Sequence, residues 1–436
     1  MAGTTPGTPR VLRAMNDRAA LDLLLAEGPL SRGRIGELTG LSKPTASQLL
    51  ARLETAGLVF VTGRSEGRPG PNARLYAVNG RAAHVAGVDV TTSRILAGVA
   101  DITGRITGTF ELPTPARPAG GTRPGPPELL VRAVEGAAEA AGVGLSELHR
   151  AVVGTPGAFD PSTGRLRYAS HLPGWHSPTL LDEMAAALPM PVEYDNDVNL
   201  VAVAEQRLGA AGGHDDFVLL WNEQGIGAAL VIGGRLHRGR TGGAGEVGFL
   251  PVPGTPLVRD PVLRNSGGFQ ALAGAGAVLR WAHELGLPYD EDAELQTSAV
   301  ALVARAAAEA PEEARLESEA AEDGPARVPD DGGPHAELLG RLATGTAVGL
   351  ASMVAVLDPQ LIVLSGGVLA AGGERLRRLV QRELAELAVP RPSLKLGTVT
   401  GDPVLHGALE SALATTRDEV FDTSRGHLPR VSHADT

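Results

Sequence analysis

The stretch that decides the N-terminal fold is Leu30-Ser31-Arg32-Gly33-Arg34-Ile35-Gly36-Glu37-Leu38-Thr39-Gly40-Leu41-Ser42-Lys43-Pro44-Thr45-Ala46-Ser47-Gln48-Leu49-Leu50-Ala51-Arg52-Leu53. Ser31 is placed to cap a short helix carrying Ile35 and Leu38, because a serine oxygen can accept from the unpaired amides of a first turn. Thr39-Gly40-Leu41 reads as the tight turn of a helix-turn-helix pair. Ser42 caps the next helix, and Pro44 is tolerated in its first turn, where backbone N–H groups lack intrahelical partners. Ala46, Leu49, Leu50 and Leu53 recur at helical spacing and predict a buried stripe. Lys43, Thr45, Ser47, Gln48 and Arg52 are then left facing outward. That set suits duplex DNA: Gln pairs with adenine, Ser and Thr contact bases or phosphates, and cations neutralise phosphates.

Upstream, Asn16 or Asp17 is placed to cap a first helix with Ala20, Leu21, Leu24 and Leu25 on one face, ended by Gly28-Pro29. Residues 1–15 then read as a disordered tail. Downstream, Leu58 to Thr62 and Leu75 to Val78 read as two strands around Gly63-Arg64-Ser65-Glu66-Gly67-Arg68-Pro69-Gly70, a basic wing that offers Arg64 and Arg68 to DNA. Gly67-Arg68-Pro69 is also similar to the core of a minor-groove AT-hook, although the same tripeptide makes an ordinary turn. Residues 16–80 are therefore expected to form a winged helix-turn-helix DNA-binding domain. A three-helix module that contacts protein is the blander alternative; it does not account for the basic wing.

Composition agrees with a chain of two functions. The 436 residues are roughly three times a usual domain. Cysteine is absent, which excludes disulfides, thiol nucleophiles and thiolate metal sites. The net charge of −11 divides unevenly. Residues 1–81 carry 11 Lys+Arg and 6 Asp+Glu, the remainder 28 and 44, hence +5 and −16. Met1 to Pro9 lacks the apolar stretch of an export signal. The longest apolar run, Ala347 to Leu357, falls short of the ~20 residues of a membrane span, so a cytoplasmic chain with no membrane partner is expected.

Beyond His84 the pattern becomes α/β. Val85 to Val90, Arg94 to Ala100 and Arg105 to Leu112 read as strands, followed by a helix from Glu128 to Ala141, a strand at Ala151 to Gly154, and Pro191 to Tyr194 leading into a helix from Asp197 to Gly209. About 130 residues later the opening arrangement recurs, in Phe217 to Trp221, Gly227 to Ile232 and the Gly233-Gly234-Arg235 turn. A duplicated α/β body with a ligand cleft is predicted over 81–416, in lobes of about 81–200 and 201–416. Residues 309–333 are an acidic loop and 417–436 a C-terminal tail. Ala336 to Val356 reads as a long buried helix, and Leu361 to Leu364 as a core strand entering a turn at Ser365-Gly366-Gly367.

Taken with the winged helix, five motifs in order resemble the ROK family of repressors, open reading frames and kinases. They are Gly87-Val88-Asp89-Val90, Gly154-Thr155-Pro156-Gly157, Leu172-Pro173-Gly174-Trp175, Asn196-Asp197-Val198-Asn199 and Gly245-Glu246-Val247-Gly248. The resemblance runs from about residue 16 to 415 and implies a two-lobed, actin-like, sugar-kinase-like body. It also implies that Gly157, Asn196, Asp197, Glu246 and Gln270 face a sugar or sugar derivative, Gln270 standing where the family has a glutamate. In kinase members the aspartate matching Asp197 is the general base; Asp197 is equally placed to cap its own helix.

The departures from that resemblance carry further expectations. Thr91-Thr92-Ser93 replaces a Gly-Gly-Thr phosphate loop, and Glu223-Gln224-Gly225 replaces Gly-Thr-Gly, so side chains and a carboxylate stand where backbone amides would meet polyphosphate. Phosphoryl transfer rests on positioning and charge neutralisation, so no kinase activity, no catalytic residue and no cofactor is expected. Pro261, Leu263, Gly268 and Phe249 replace the family's zinc ligands, so no metal is expected. His171 and Phe249 also alter the sugar pocket. The expected protein is a sugar-responsive transcription regulator that binds operator DNA as a homodimer or homotetramer. A kinase with a DNA-binding head, or a regulator whose body only oligomerises, are the alternatives.

Overall fold

The computed structural model describes residues 9–64, 73–114, 124–160, 165–167, 179–257, 267–310 and 333–425. Two compact units divide the chain. The first comprises 1–155, 171–195 and 408–436, and the second 156–170 and 196–407.

The first unit opens with α1 (Pro9–Glu27), β1 (Leu30–Ser31), α2 (Arg32–Thr39), α3 (Lys43–Thr55), β2 (Val59–Arg64) and β3 (Arg74–Val78). Ser31 and Ser42 cap α2 and α3 by accepting from Arg34 N at 3.3 Å and Thr45 N at 3.4 Å. Gly40 ends α2 at φ 71°, a left-handed position that suits glycine. Ala46, Leu49, Leu50 and Leu53 are the buried residues of α3. The three strands form an antiparallel sheet in the order β1-β3-β2. The winged helix-turn-helix is present, with one correction: α1 starts at Pro9, so residues 9–15 are helix rather than tail. Asp17 is not a cap but a buried residue in the middle of α1.

The body continues with β4 (His84–Val90), β5 (Arg94–Asp101), β6 (Ile106–Pro113), α4 (Pro126–Ala141), β7 (Leu148–Thr155), β8 (Ala158–Asp160), β9 (Arg165–Arg167), α5 (Leu180–Ala187) and β10 (Val192–Asn196). There follow α6 (Asp197–Leu208), β11 (Phe217–Asn222), β12 (Ile226–Ile232), β13 (Arg235–Leu236), α7 (Gly268–Ala273), α8 (Ala275–Glu284), α9 (Leu295–Glu309) and α10 (Gly333–Leu357). The last elements are β14 (Leu361–Ser365), α11 (Gly367–Leu387), β15 (Ser393–Leu396) and α12 (Pro403–Val420).

Each unit has its own five-stranded sheet, and the two share one topology. In β10-β7-β4-β5-β6, β4 is antiparallel to β5 and parallel to β7. In β15-β14-β11-β12-β13, β11 is antiparallel to β12 and parallel to β14. The repeat anticipated from sequence is therefore a repeat of strand order. Every residue of β4 is buried, as a central strand covered on both faces requires.

The unit boundary differs from the expected division near residue 200. The chain leaves the first unit, returns to it for 171–195, and returns again at Ala408. Accordingly 417–425 are not tail: α12 runs to Val420, and Val420 and Phe421 join Leu21, Leu50, Leu58 and Ile102 in one buried cluster. Residues 426–436, and 311–332 of the acidic loop, lie outside the described residues.

Helix α10 is long and apolar enough to cross a membrane by length and composition. Here Leu338, Leu342, Leu350 and Val354 lie in the core of the second unit with Phe269. Gly349 allows this: a Cβ there would stand 2.3 Å from the Phe269 ring, whereas Gly340 on the same helix has nothing within 4 Å. Gly349→Ala is expected to destabilise the protein by about 1–3 kcal/mol through overpacking. Gly340→Ala should stabilise it by roughly 0.5–1 kcal/mol, since Gly is the costlier helix residue. Thermal melting of the two variants checks the contrast.

Candidate functional site

Lys43 begins α3, and Lys43, Thr45 and Gln48 are exposed. Thr45 Oγ1 lies 2.8 Å from the Ser42 capping oxygen, so Thr45 also fixes the entry to the helix. Ser47 is half-buried; its hydroxyl donates to Lys43 O at 3.0 Å and accepts from Arg32 Nη1 at 2.9 Å. Arg32, from the first turn of α2, thus stands beside the outward face of α3. Its position directly after the capping Ser31 was the sequence signal for it. Arg52 departs from the expected DNA-facing set. Its Nη2 donates to Asp17 Oδ1 at 2.6 Å, tying α3 to α1.

Arg64 ends β2 and is exposed. Its cross-strand partner is Arg74, also exposed and not foreseen as a site residue. Like charges directly opposite one another destabilise a hairpin, and an anion lying across them removes that cost. Arg68 and the rest of 65–72 lie outside the described residues.

The expected ligand residues fall in the second unit, and the sequence there shows why they are placed as they are. Asn196 caps α6: its Oδ1 accepts from Val198 N at 2.9 Å and Asn199 N at 3.2 Å, and its Nδ2 donates to Gly157 O at 3.1 Å. Asp197 Oδ1 accepts from Val198 N at 2.8 Å. Gly157, at φ 95°, occupies a conformation that favours glycine. Asn196 therefore joins the Gly157 turn to the start of α6.

Glu246 precedes the short helical turn Val247–Phe249. Gln270, in the first turns of α7, directs Oε1 to Ile226 N at the start of β12. Its carbonyl braces a strand, which narrows the expected ligand role to the amide end. A Cβ on neighbouring Gly227 would meet Val198 at 3.1 Å, so the start of β12 lies between α6 and α7.

The positions that replace zinc ligands are informative where described. Gly268 has φ 65°, and a Cβ on it would stand 3.0 Å from the carbonyl oxygens of Gly248 and Leu250. A cysteine does not fit that backbone, and Phe249 offers no ligand atom. Among the described residues no group of three or more His, Asp or Glu could hold a metal ion. Pro261, Leu263, His171 and the Leu172–Trp175 motif lie outside the described residues.

At the positions that the family resemblance sets against phosphate loops, Thr91 closes the β4–β5 turn with its hydroxyl, which donates to Arg94 O at 3.0 Å and accepts from Arg94 N at 3.1 Å. The Arg94 guanidinium stands 3.8 Å from the buried Asp89 carboxylate. In the second unit Glu223 accepts from the Gly367 amide at the first turn of α11 and from Gln296 Nε2. Burial raises the Glu223 carboxyl above its ordinary range, and the Gly367 amide offsets part of that.

Residues 85–395 match the ROK family model, and residues 5–68 match that of the MarR family. This chain belongs to the ROK family. Among similar ROK proteins, the glucokinase of Streptomyces coelicolor is 26% identical over 285 residues, covering 65% of this chain and 81% of that protein. The Escherichia coli DNA-binding transcriptional dual regulator NagC is 24% identical over 274 residues, 62% of this chain and 65% of that one. Among solved structures, a ROK hexokinase from Thermus thermophilus superposes with TM-score 0.59 at 27% identity, covering 77% of this chain and 99% of that one. A ROK family transcriptional regulator, a homologue of the E. coli MLC protein, covers 95% of this chain and 98% of its own at 18% identity and TM-score 0.66. That likeness extends the shared fold across the head as well as the body.

Two outcomes follow for ROK positions in the second unit. Asn196→Ala should cost about 1 kcal/mol as a lost helix cap, and Asn196→Asp, which can still cap, should restore most of it in denaturant melts. Glu223 has a folded pKa raised above its unfolded value, so its ionised form opposes folding. That penalty is absent below the unfolded value near 4.5 and grows as pH rises through the folded one. Glu223→Gln should therefore raise the melting temperature at pH 7 and lose that advantage below about pH 4.

Proposed function

We propose that this ROK family protein is a sequence-specific DNA-binding transcription regulator whose body responds to a sugar or sugar derivative. The observation that carries the reading is the surface of the head. A doubly capped helix-turn-helix exposes Lys43, Thr45 and Gln48 on α3, and two arginines face each other across the hairpin at Arg64 and Arg74. Gln48 is suited to read a base edge, while Lys43, Arg32, Arg64 and Arg74 are suited to phosphates. The MarR-type match over the same segment and the relative NagC, described as a DNA-binding transcriptional regulator, support this.

Catalysis is not part of the reading, although glucokinases are among the relatives. What supports this is that the positions the ROK resemblance assigns to phosphate loops carry side chains rather than open backbone amides: the side-chain-closed turn at Thr91, the Arg94 guanidinium beside Asp89, and the Glu223 carboxylate at the first turn of α11. The reading includes no metal or cofactor. It places the protein in the cytoplasm, as a homodimer or homotetramer whose paired heads meet the two half-sites of an operator.

A second reading has its own observation. Asn196 and Gln270, two of the expected ligand residues, spend acceptor capacity on backbone amides. A body that only oligomerises would need no more of them than that. Gel shifts of the full chain on a selected duplex, with glucose, N-acetylglucosamine and xylose titrated in turn, distinguish the readings. The sensor reading expects one sugar to change DNA affinity; no change with any sugar or sugar phosphate favours the second.

The DNA assignment has its own check. Gln48→Ala should shift base preference by about 1–3 kcal/mol at one position. Arg64→Ala should weaken all sequences alike and reduce the slope of affinity against salt by about one. Equal effects from both variants on every sequence would remove α3 from the major groove.

A further inference from the structure

The head contains a buried charge that its own elements alone do not fully satisfy. Asp17, at 2% exposure, lies in the middle of α1. One oxygen accepts from Arg52 of α3 at 2.6 Å. The other accepts from Thr423 Oγ1 at 3.0 Å, from a residue 406 positions away in sequence. A buried carboxylate is tolerated only where charge and hydrogen bonds both meet it, so this group defines one arrangement of α1, α3 and the C-terminal segment.

The contacts around it are consistent with one device. Arg18, one residue on, donates to Asp418 at 2.7 Å and lies 5.8 Å from the Phe421 ring centroid, over its face. Val420 and Phe421 enter the same buried cluster as Leu49, Leu50 and Leu53, the inner stripe of α3. Arg417 donates to Ile102 O at 2.9 Å, which anchors the end of α12 on the first sheet beside the head. Glu419, by contrast, turns to Arg150 of β7 at 2.7 Å and takes no part in the head.

We propose that residues 418–423 are a latch that orients the DNA-reading helix, with Asp17 as the positioning residue between Thr423 and Arg52. Arg52 acts in this account through α3 rather than on DNA. The helix that delivers the latch starts in the second unit, where Gly407 lies against the backbone of α6, the helix capped by Asn196; a Cβ on Gly407 would fall 1.8 Å from Leu200 O. The proposal rests on the DNA-reading function proposed above.

The test uses the full chain with Thr423→Val, Asp418→Ala and, as a control on the same helix, Glu419→Ala. Binding is measured on a duplex selected by the wild-type chain and on a scrambled duplex of equal length, with amide exchange followed over Leu49–Thr55 without DNA. Thr423→Val is expected to lose about tenfold on the selected duplex, the loss that one unmade hydrogen bond to a buried charge carries, and Asp418→Ala, whose pair with Arg18 is exposed, about threefold. They should stay within about twofold on the scrambled duplex, where phosphate contacts dominate. Exchange over Leu49–Thr55 should quicken in both, and Glu419→Ala should match wild type in every readout. Equal losses on both duplexes, no loss on either, or the same selective loss from Glu419→Ala would overturn the latch. If the wild-type chain does not distinguish the duplexes, the DNA-reading function fails instead, and unchanged exchange in Thr423→Val then overturns the latch by itself.

Discussion

Helix α12 lies so close to its neighbours that two of its contacts require glycine. A Cβ on Gly87, in the central strand β4, would meet Leu409 of α12 at 2.8 Å. A Cβ on Gly407, in α12 itself, would meet the backbone of α6. Both approaches fall near the start of the helix, at Gly407 against α6 and at Leu409 against β4, each within its own unit. Interiors packed to this density do not deform smoothly, so the helix is held in register rather than loosely attached. The end of α12 then supplies Val420, Phe421 and the segment that reaches Asp17, and the head's buried cluster is incomplete without it.

This constraint changes how the molecule divides. A basic head on an acidic body suggested two functions, with a head over 16–80 and lobes divided near residue 200. The head instead belongs to the same compact unit as the first sheet, sharing Ile102 and the last turn of α12 with it. The charge division remains, +5 over residues 1–81 and −16 over the remainder, and it keeps its electrostatic meaning for a phosphate-bearing partner.

Much of the fold was legible because its signals are local. Ser31 and Ser42 announced both helices of the reading pair, and the spacing of Ala46, Leu49, Leu50 and Leu53 gave the buried face of α3. The repeated run of three strands gave the duplicated strand order of the two sheets. What escaped has a common cause: the deciding partner is distant in sequence. Asp17 had the type and position of a cap, but Pro9 starts α1 and Arg52 and Thr423 satisfy the carboxylate, so no capping role remains. Arg52 had the spacing of a DNA contact and is drawn to Asp17. Arg74 became visible only when strand register set it opposite Arg64. That Gln270 spends its oxygen on Ile226 was not legible, because that amide lies 44 residues away; the Asn196 cap is a local bond, at the neighbour of the Asp197 that the sequence had offered as a cap.

Genome-wide mapping of the DNA bound by the intact protein tests the proposed reading of DNA sequence most directly. A regulator of this kind gives a small set of discrete sites beside carbohydrate transport or catabolism genes, each with two inverted half-sites about one helical turn apart. Signal spread without discrete sites, or sites sharing no sequence, would contradict it.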